Sequence, residues 1–272
     1  MRIRKNLARL ALLAAASTAG AGLLATPSQA AVNSAVEIKV ESGRTVLVYT
    51  GSDNANQLRL NKEAGGVVVV DDSVTLTPGA GCTTFVDSTQ ARCSAVTEIR
   101  FNLGAGNDRA AVQRTFNGEI RGGSGDDTFA LSYADSGLST LRVIGDAGAR
   151  DHADYRGMGE AVNVTLGLGA NDGRPAKNDA DFVQVEDVTG TSFSDTLIGD
   201  LAANQIKGLG ARDTMRGGAA NDKIFANDGN TETQIDCDSG LGAPGTADTI
   251  VVDDRALDSR INCELTERAG VE

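Results

Sequence analysis

The 272-residue chain sets 37 acidic residues against 25 basic ones, a net charge of −12 at pH 7, and contains 33 glycines and no tryptophan. That charge argues against nucleic acid and anionic membrane surfaces as partners, and an aromatic content of 4% argues against a sugar-stacking platform. So much glycine and like charge opposes compaction, so something besides apolar burial must support the fold.

Residues 1–30 read as a signal peptide. Arg2, Arg4, Lys5 and Arg9 supply the charged region, residues 10–24 are apolar and alanine-rich, and Ser28-Gln29-Ala30 puts small residues around a cut before Ala31. An uncleaved membrane anchor is the alternative; after the cut no apolar run is long enough to span a bilayer. The exported chain would keep 21 basic and 37 acidic residues, 21 minus 37 or −16.

Residues 31–100 are expected to form an N-terminal β segment that starts the sheet and caps it. Short strands are predicted at 36–40, 45–50, 57–61, 67–71 and 74–77, separated by turns such as Ser52-Asp53-Asn54 and Thr77-Pro78-Gly79. Four cysteines in an exported chain should pair, with three connectivities possible. Cys82 with Cys93 and Cys237 with Cys263 is chosen because each pair brackets one local segment. Loop closure would then contribute about 3 and about 3.5 kcal/mol. A metal-thiolate site is disfavoured, since there is no CxxC and only one histidine.

Residues 101–161 hold a first set of glycine-aspartate turns. The fullest is Gly122-Gly123-Ser124-Gly125-Asp126-Asp127, followed by Thr128-Phe129-Ala130; Asp108 closes a similar turn nineteen residues earlier, and 145–151 is a copy with one extra residue. Residues 162–189 read as an irregular insertion. Strands at 162–166 and 182–188 flank a loop carrying the weak copy 167–172 and the carboxylates Asp172, Asp179 and Asp181, expected to be solvated rather than to hold a metal ion.

Residues 190–228 then repeat every nine residues: GTSFSDTLI (190–198), GDLAANQIK (199–207), GLGARDTMR (208–216) and GGAANDKIF (217–225). Each unit opens with Gly, carries Asp195, Asn204, Asp213 or Asp222 sixth, and places Leu197, Ile206, Met215 or Ile224 eighth. Six turn-forming residues and three of polar-apolar alternation make a turn and a very short strand with one inward side chain. Two units complete a coil of eighteen residues, so Asp195 stacks over Asp213 and Asn204 over Asp222, with strands about 4.8 Å apart. Carboxylates at that spacing repel by about 1 kcal/mol in water and about 3.5 kcal/mol at a surface-like dielectric. A divalent cation reverses the sign, and calcium accepts 6–8 oxygens in loose geometry. Residues 229–272 decay through Asn227-Asp228-Gly229-Asn230 into a disulfide-closed C-terminal cap.

These turns resemble the haemolysin-type, or RTX, calcium-binding repeat proteins, whose unit is GGxGxDxUx with U a large apolar residue. The likeness is greater to a secreted, signal-peptide-bearing bacterial subgroup, which is similar to this chain over 79–93 (GAGC…RC), 153–166 (ADYRG…VNVTL), 185–200 (VEDVTGTSFSDTLIGD) and 236–264 (DCDSG…ADTIVVDDRALDSRINCE), together most of residues 79–264. The resemblance implies an all-β, right-handed parallel β-roll or β-helix that binds Ca2+ between successive turns through turn aspartates and carbonyls. Carried onto this sequence, the side-chain ligands are Asp108, Asp127, Asp195, Asp213 and Asp222, with Asn204 and the turn glycines Gly122, Gly123 and Gly125 completing the sites.

Departures from the pattern lower that expectation. The fourth position holds Phe193, Ala202, Ala211 and Ala220 instead of Gly. Where that position needs a positive φ, a Cβ costs stability or distorts the carbonyl cage. Asn204 also removes a charge, so fewer and weaker calcium sites are expected than the repeat count suggests. Two other readings stand beside the extracellular, calcium-folded β-roll. One is an adhesin or cell-surface spacer with degenerate, largely metal-free repeats. The other is a parallel β-helix carbohydrate-active enzyme, for which Asp71-Asp72 and Asp253-Asp254 are available and neither is singled out. His152 is expected to be a surface or turn histidine; no GxSxG or HExxH is present, and no room is expected for the separate catalytic domain of RTX-bearing proteases and lipases. The sequence does not set an oligomeric state or a protein partner.

Overall fold

The computed structural model describes residues 33–133, 135–167, 172–177, 179–238, 245–253 and 260–268. The expected signal peptide, Asp254 and most of the weak repeat at 167–172 lie outside them.

At the N-terminal end β1 (Ser34–Glu41) and β2 (Arg44–Thr50) form an antiparallel hairpin, and β2 continues through a tight turn into β3 (Gln57–Lys62). β4 (Val68–Asp71), β5 (Leu76–Pro78), β6 (Cys82–Phe85) and β7 (Asp87–Cys93) close this end. Three coils follow, each of two strands: β8 (Glu98–Ala105) with β9 (Arg109–Val112), β10 (Asn117–Ser124) with β11 (Thr128–Leu131), and β12 (Thr140–Ala147) with β13 (His152–Asp154). The insertion contributes β14 (Asn163–Thr165), β15 (Ala180–Val183) and β16 (Asp187–Thr189). The nonapeptides and the end give β17 (Thr196–Ile198), β18 (Gln205–Lys207), β19 (Thr214–Gly218), β20 (Lys223–Ala226), β21 (Gln234–Asp238), β22 (Thr249–Val252), β23 (Arg260–Ile261) and β24 (Leu265–Arg268).

Three sheets result. One of twelve strands runs β24-β22-β20-β18-β16-β13-β11-β9-β3-β4-β7-β6, and the second strand of every coil joins it in parallel. The first strands form a seven-stranded sheet, β15-β12-β10-β8-β2-β1-β5, and a five-stranded one, β14-β17-β19-β21-β23. The two meet at the insertion, where Asp172 bridges Ala180 and Gly173 bridges Asn163, both antiparallel. The coil therefore persists through the region where the nonapeptide period is lost. Because β2 and β3 pair in parallel with β8 and β9, coiling is already established in the N-terminal segment.

The two-residue period of each short strand sends its central side chain inward. Leu197, Ile206, Met215 and Ile224 are all fully buried, Leu197 in register with Met215 and Ile206 with Ile224. The few aromatic residues are concentrated earlier: Tyr49 stacks on Phe101 at 5.2 Å, Tyr155 meets Phe182 edge-on at 6.0 Å, and Phe129 is buried between those layers in sequence. The nonapeptide half has only aliphatic and methionine side chains in its interior, so it owes less of its stability to apolar burial.

Two details of the insertion differ from the sequence reading. The single strand expected at 182–188 is two, β15 and β16 in different sheets, because the chain bends at Gln184, whose φ is 54°. Asp172 and Asp179 are buried, not solvated. Asp172 accepts N–H groups from Thr165 at 2.6 Å and Phe182 at 3.2 Å. Asp179 is gripped by both Nε (2.6 Å) and Nη2 (3.1 Å) of buried Arg174, whose guanidinium also donates to the carbonyls of Asp135 and Gly137. A buried arginine so satisfied locks the insertion onto the preceding coil. Asp181 pairs with Arg142 at 3.5 Å.

The disulfides are Cys82–Cys93, across β6 and β7, and Cys237–Cys263, tying β21 to the segment after β23; this is the expected pairing. Of the acidic pair Asp71-Asp72, Asp72 is buried and accepts the Tyr49 hydroxyl at 2.5 Å and N–H groups of Gln57 and Ser73, a structural role. His152 lies on β13, half-buried, with Nε2 2.8 Å from Thr189 Oγ1. Among the described residues no helix is long and apolar enough to cross a membrane.

Candidate metal centre

Each coil turns between its two strands, and the sixth-position carboxylate of each turn folds inward against the first residue of the same turn. A Cβ on Gly122 would lie 2.1 Å from Asp127 Oδ2 and 2.7 Å from Gly145 O of the next coil; on Gly217 it would lie 2.3 Å from Asp222 Oδ2 and 2.1 Å from Cys237 O. The leading glycine is therefore a requirement of space: two oxygens, one from a carboxylate and one from the next coil's backbone, occupy the place a side chain would need.

The carboxylates form two ladders. In the first, the backbone N–H at each sixth position donates to the carboxylate one coil further on: Asn56 to Asp108 (2.6 Å), Asp108 to Asp127 (2.8 Å), Asp127 to Asp151 (2.7 Å), and Asp151 to Glu186 (2.9 Å). It resumes with Asn204 to Asp222 (2.8 Å), Asp222 to Asp248 (2.7 Å) and Asp248 to Glu264 (2.9 Å). On the other edge Val162 donates to Asp195 (2.8 Å), Asp195 to Asp213 (2.8 Å) and Asp213 to Glu232 (2.6 Å). The stacking of Asp195 over Asp213 and Asn204 over Asp222 follows the eighteen-residue coil.

One oxygen of each carboxylate is used in this way; the other decides the chemistry. Oδ2 of Asp108, Asp127, Asp151, Asp213, Asp222 and Asp248 is buried and accepts no hydrogen bond. Leaving a buried carboxylate oxygen without a donor is costly; five of these oxygens lie along the first ladder and that of Asp213 on the second. Burial, opposed by the single backbone N–H bond and reinforced by neighbouring carboxylates, pushes Asp108, Asp151, Asp213 and Asp222 up to about 7 and Asp127 up to about 6. Burial likewise raises Asp248 and Asp195.

Two of the expected ligand positions are different. Asp195 has no open oxygen: Thr191 donates its N–H to Oδ2 at 2.6 Å and its hydroxyl to Oδ1 at 3.0 Å. Asn204 is satisfied by Asp200, whose N–H it accepts at 2.8 Å, and by the Glu186 carbonyl, to which Nδ2 donates at 2.8 Å. The same two second-position side chains explain the missing fourth glycine. Thr191 Oγ1 accepts the Phe193 N–H and Asp200 Oδ1 the Ala202 N–H, so neither turn needs a positive φ at its fourth residue. Ala211 and Ala220 do take φ of 75° and 64°, matching Gly106 at 105° and Gly125 at 120°, and carry strain of about 1–2 kcal/mol each. Gly123 and Gly125 press against the previous coil, where a Cβ would meet Gly104 O at 2.0 Å and Gly106 O at 2.2 Å.

Asp151, Glu186, Glu232, Asp248 and Glu264 also belong to the ladders, and the nine-residue pattern does not mark them. The usable signal was acidic-polar-apolar at the strand entrance, as in Asp151-His152-Ala153 and Asp248-Thr249-Ile250. Turns of unequal length hide it, since the spacing along the first ladder runs 19, 24 and 35 residues, then 18 from Asn204 to Asp222, then 26 and 16.

A family model for the RTX calcium-binding nonapeptide repeat, in 4 copies, matches residues 189–224 and 208–230. Residues 189–230 are RTX-type nonapeptide repeats. The match covers the turns of Asp195, Asn204, Asp213 and Asp222, and RTX nonapeptide repeats bind Ca2+. No curated protein matches the chain. The all-oxygen donor set, carboxylates beside backbone carbonyls with open buried oxygens, fits a hard cation of calcium's loose coordination.

Proposed function

We propose that this protein is a secreted β-roll in which calcium occupies the open-oxygen positions and stabilises or completes the fold outside the cell. The ions are assigned to Asp108, Asp127 and Asp151 on the first ladder, then to Asp222, and to Asp213 on the second, with turn carbonyls such as those of Gly122, Gly123 and Gly125 as further ligands. The single observation that carries this reading is the set of buried Oδ2 atoms with no donor. The metal-free scaffold reading applies to two turns, 190–195 and 199–204, which Thr191 and Asp200 close from within. Two disulfides and the charged, then apolar, N-terminal sequence support export.

The test is thermal melting followed by circular dichroism, after chelator stripping and again at millimolar calcium. Each site held at ten times its dissociation constant adds about 1.4 kcal/mol, and 1 kcal/mol moves Tm by about 2–4 °C in a domain of this size. Several sites should raise Tm by about 10 °C or more. An unchanged spectrum and Tm would leave the repeats as scaffold only.

A further inference from the structure

Beyond the matched repeats, at the C-terminal end of the first ladder, three carboxylates converge. Asp238 ends β21, Asp248 enters β22 and Glu264 precedes β24; one oxygen from each lies within 4.8 Å of the others. Asp248 is fully buried, and its Oδ2 accepts no hydrogen bond. Each carboxylate also takes one backbone N–H: Asp238 from Gly245 at 2.8 Å, Asp248 from Asp222 at 2.7 Å, and Glu264 from Asp248 at 2.9 Å. The nearby lysine, Lys223, is committed to Glu267 at 2.8 Å, and among the described residues no cationic side chain neutralises the three.

Three carboxylates so close, one without access to water, repel unless a cation lies among them. We infer that Asp238, Asp248 and Glu264 form a divalent-cation site of their own, pinned by the Cys237–Cys263 disulfide. Cys237 immediately precedes Asp238 and Cys263 immediately precedes Glu264, so the covalent bond brings the two outer ligands to the buried one. The site differs from a nonapeptide turn in its donors. Asp238 stands in register with Gly218, so a carboxylate replaces the second glycine, and Glu264 reaches in from a coil that has no glycine turn. Three charged oxygen ligands on a spacious, irregular turn suit calcium better than the tight octahedron of magnesium.

This rests on the calcium reading above, and an ion count separates the two failures. Native mass spectrometry of the chelator-stripped protein with added calcium acetate gives the number of ions bound. Glu264→Gln keeps an acceptor for the Asp248 N–H, and Asp238→Asn keeps one for Gly245, so both variants should fold. Each is expected to bind one ion fewer than the parent and to retain the rest. A full complement in both variants would overturn this site while leaving the repeat sites standing. A parent protein that binds no calcium would overturn both.

Discussion

Asp127→Asn should raise the Tm of the calcium-free protein at pH 8 and lower its Tm in calcium. At pH 8 Asp127 is ionised and buried, with Oδ2 facing Gly122 and the Gly145 carbonyl and no donor to receive. An amide keeps the Oδ1 acceptor for the Asp108 N–H and removes the uncompensated charge, so one of the opposing terms disappears without creating a cavity. A gain of at least the equivalent of one pK unit, about 1.4 kcal/mol, is about 3–6 °C. With calcium present the same change deletes a ligand charge, and the gain becomes a loss of similar size or larger. Asn204 is the chain's own precedent, a neutral amide in a fully satisfied turn. If Asp127→Asn lowers Tm equally with and without calcium, the carboxylate is only a backbone clamp.

Stability of the calcium-free protein should fall as pH rises from about 4.5 to about 7.5, and calcium should remove that fall. An aspartate in the unfolded chain titrates near 3.9, whereas in the fold Asp108, Asp151, Asp213 and Asp222 are held at about 7 and Asp127 at about 6. Between those values the folded state binds more protons than the unfolded one. The favourable contribution of these groups is therefore present at the acid side and is lost as pH rises through 6–7. Even one pK unit of net shift at each of several sites amounts to more than about 10 °C in Tm. Calcium binds the deprotonated form, so its affinity should rise over the same window and its binding near pH 6 should release protons. Melting curves at pH 5 and 8, with chelator and with calcium, measure all of this. A calcium-free Tm that climbs from pH 5 to 8 would mean that the ladder carboxylates are already compensated within the protein.

Much of the coil was readable because its grammar is local. A leading glycine, an acid or amide sixth and an apolar eighth determine one turn and one strand, so Asp195, Asn204, Asp213 and Asp222 fall where an eighteen-residue coil puts them. Asp127 obeys the same rule in full, and Asp108 obeys it except for the leading glycine, where Leu103 stands. What the rule cannot convey is how a neighbouring side chain is spent. Thr191 and Asp200 look like tolerated substitutions for glycine, yet their hydrogen bonds decide that Asp195 and Asn204 have nothing left to offer an ion. Asp172 and Asp179 read as solvated loop acids because nothing local announces that Arg174 is buried with one and backbone N–H groups with the other. Glu186 and Glu264 serve as ladder acids from turns without the glycine signature, and their additional methylene lets a displaced backbone still reach the preceding N–H.

The physical picture also divides the molecule. The coils up to β15 hold Tyr49, Phe101, Phe129, Tyr155 and Phe182 in their interior, whereas the nonapeptide coils rely on Leu197, Ile206, Met215 and Ile224. Hydrophobic burial thus contributes less where the match to calcium-binding repeats lies, and within that match the open buried oxygens are those of Asp213 and Asp222.

The most direct measurement is calorimetric calcium titration of the chelator-stripped protein at pH 7.5, repeated on Asp127→Asn and Asp222→Asn. Saturable binding of several ions, reduced in each variant, is the expected result. Heats no larger than dilution in the parent protein would contradict the assignment of the open buried oxygens to calcium.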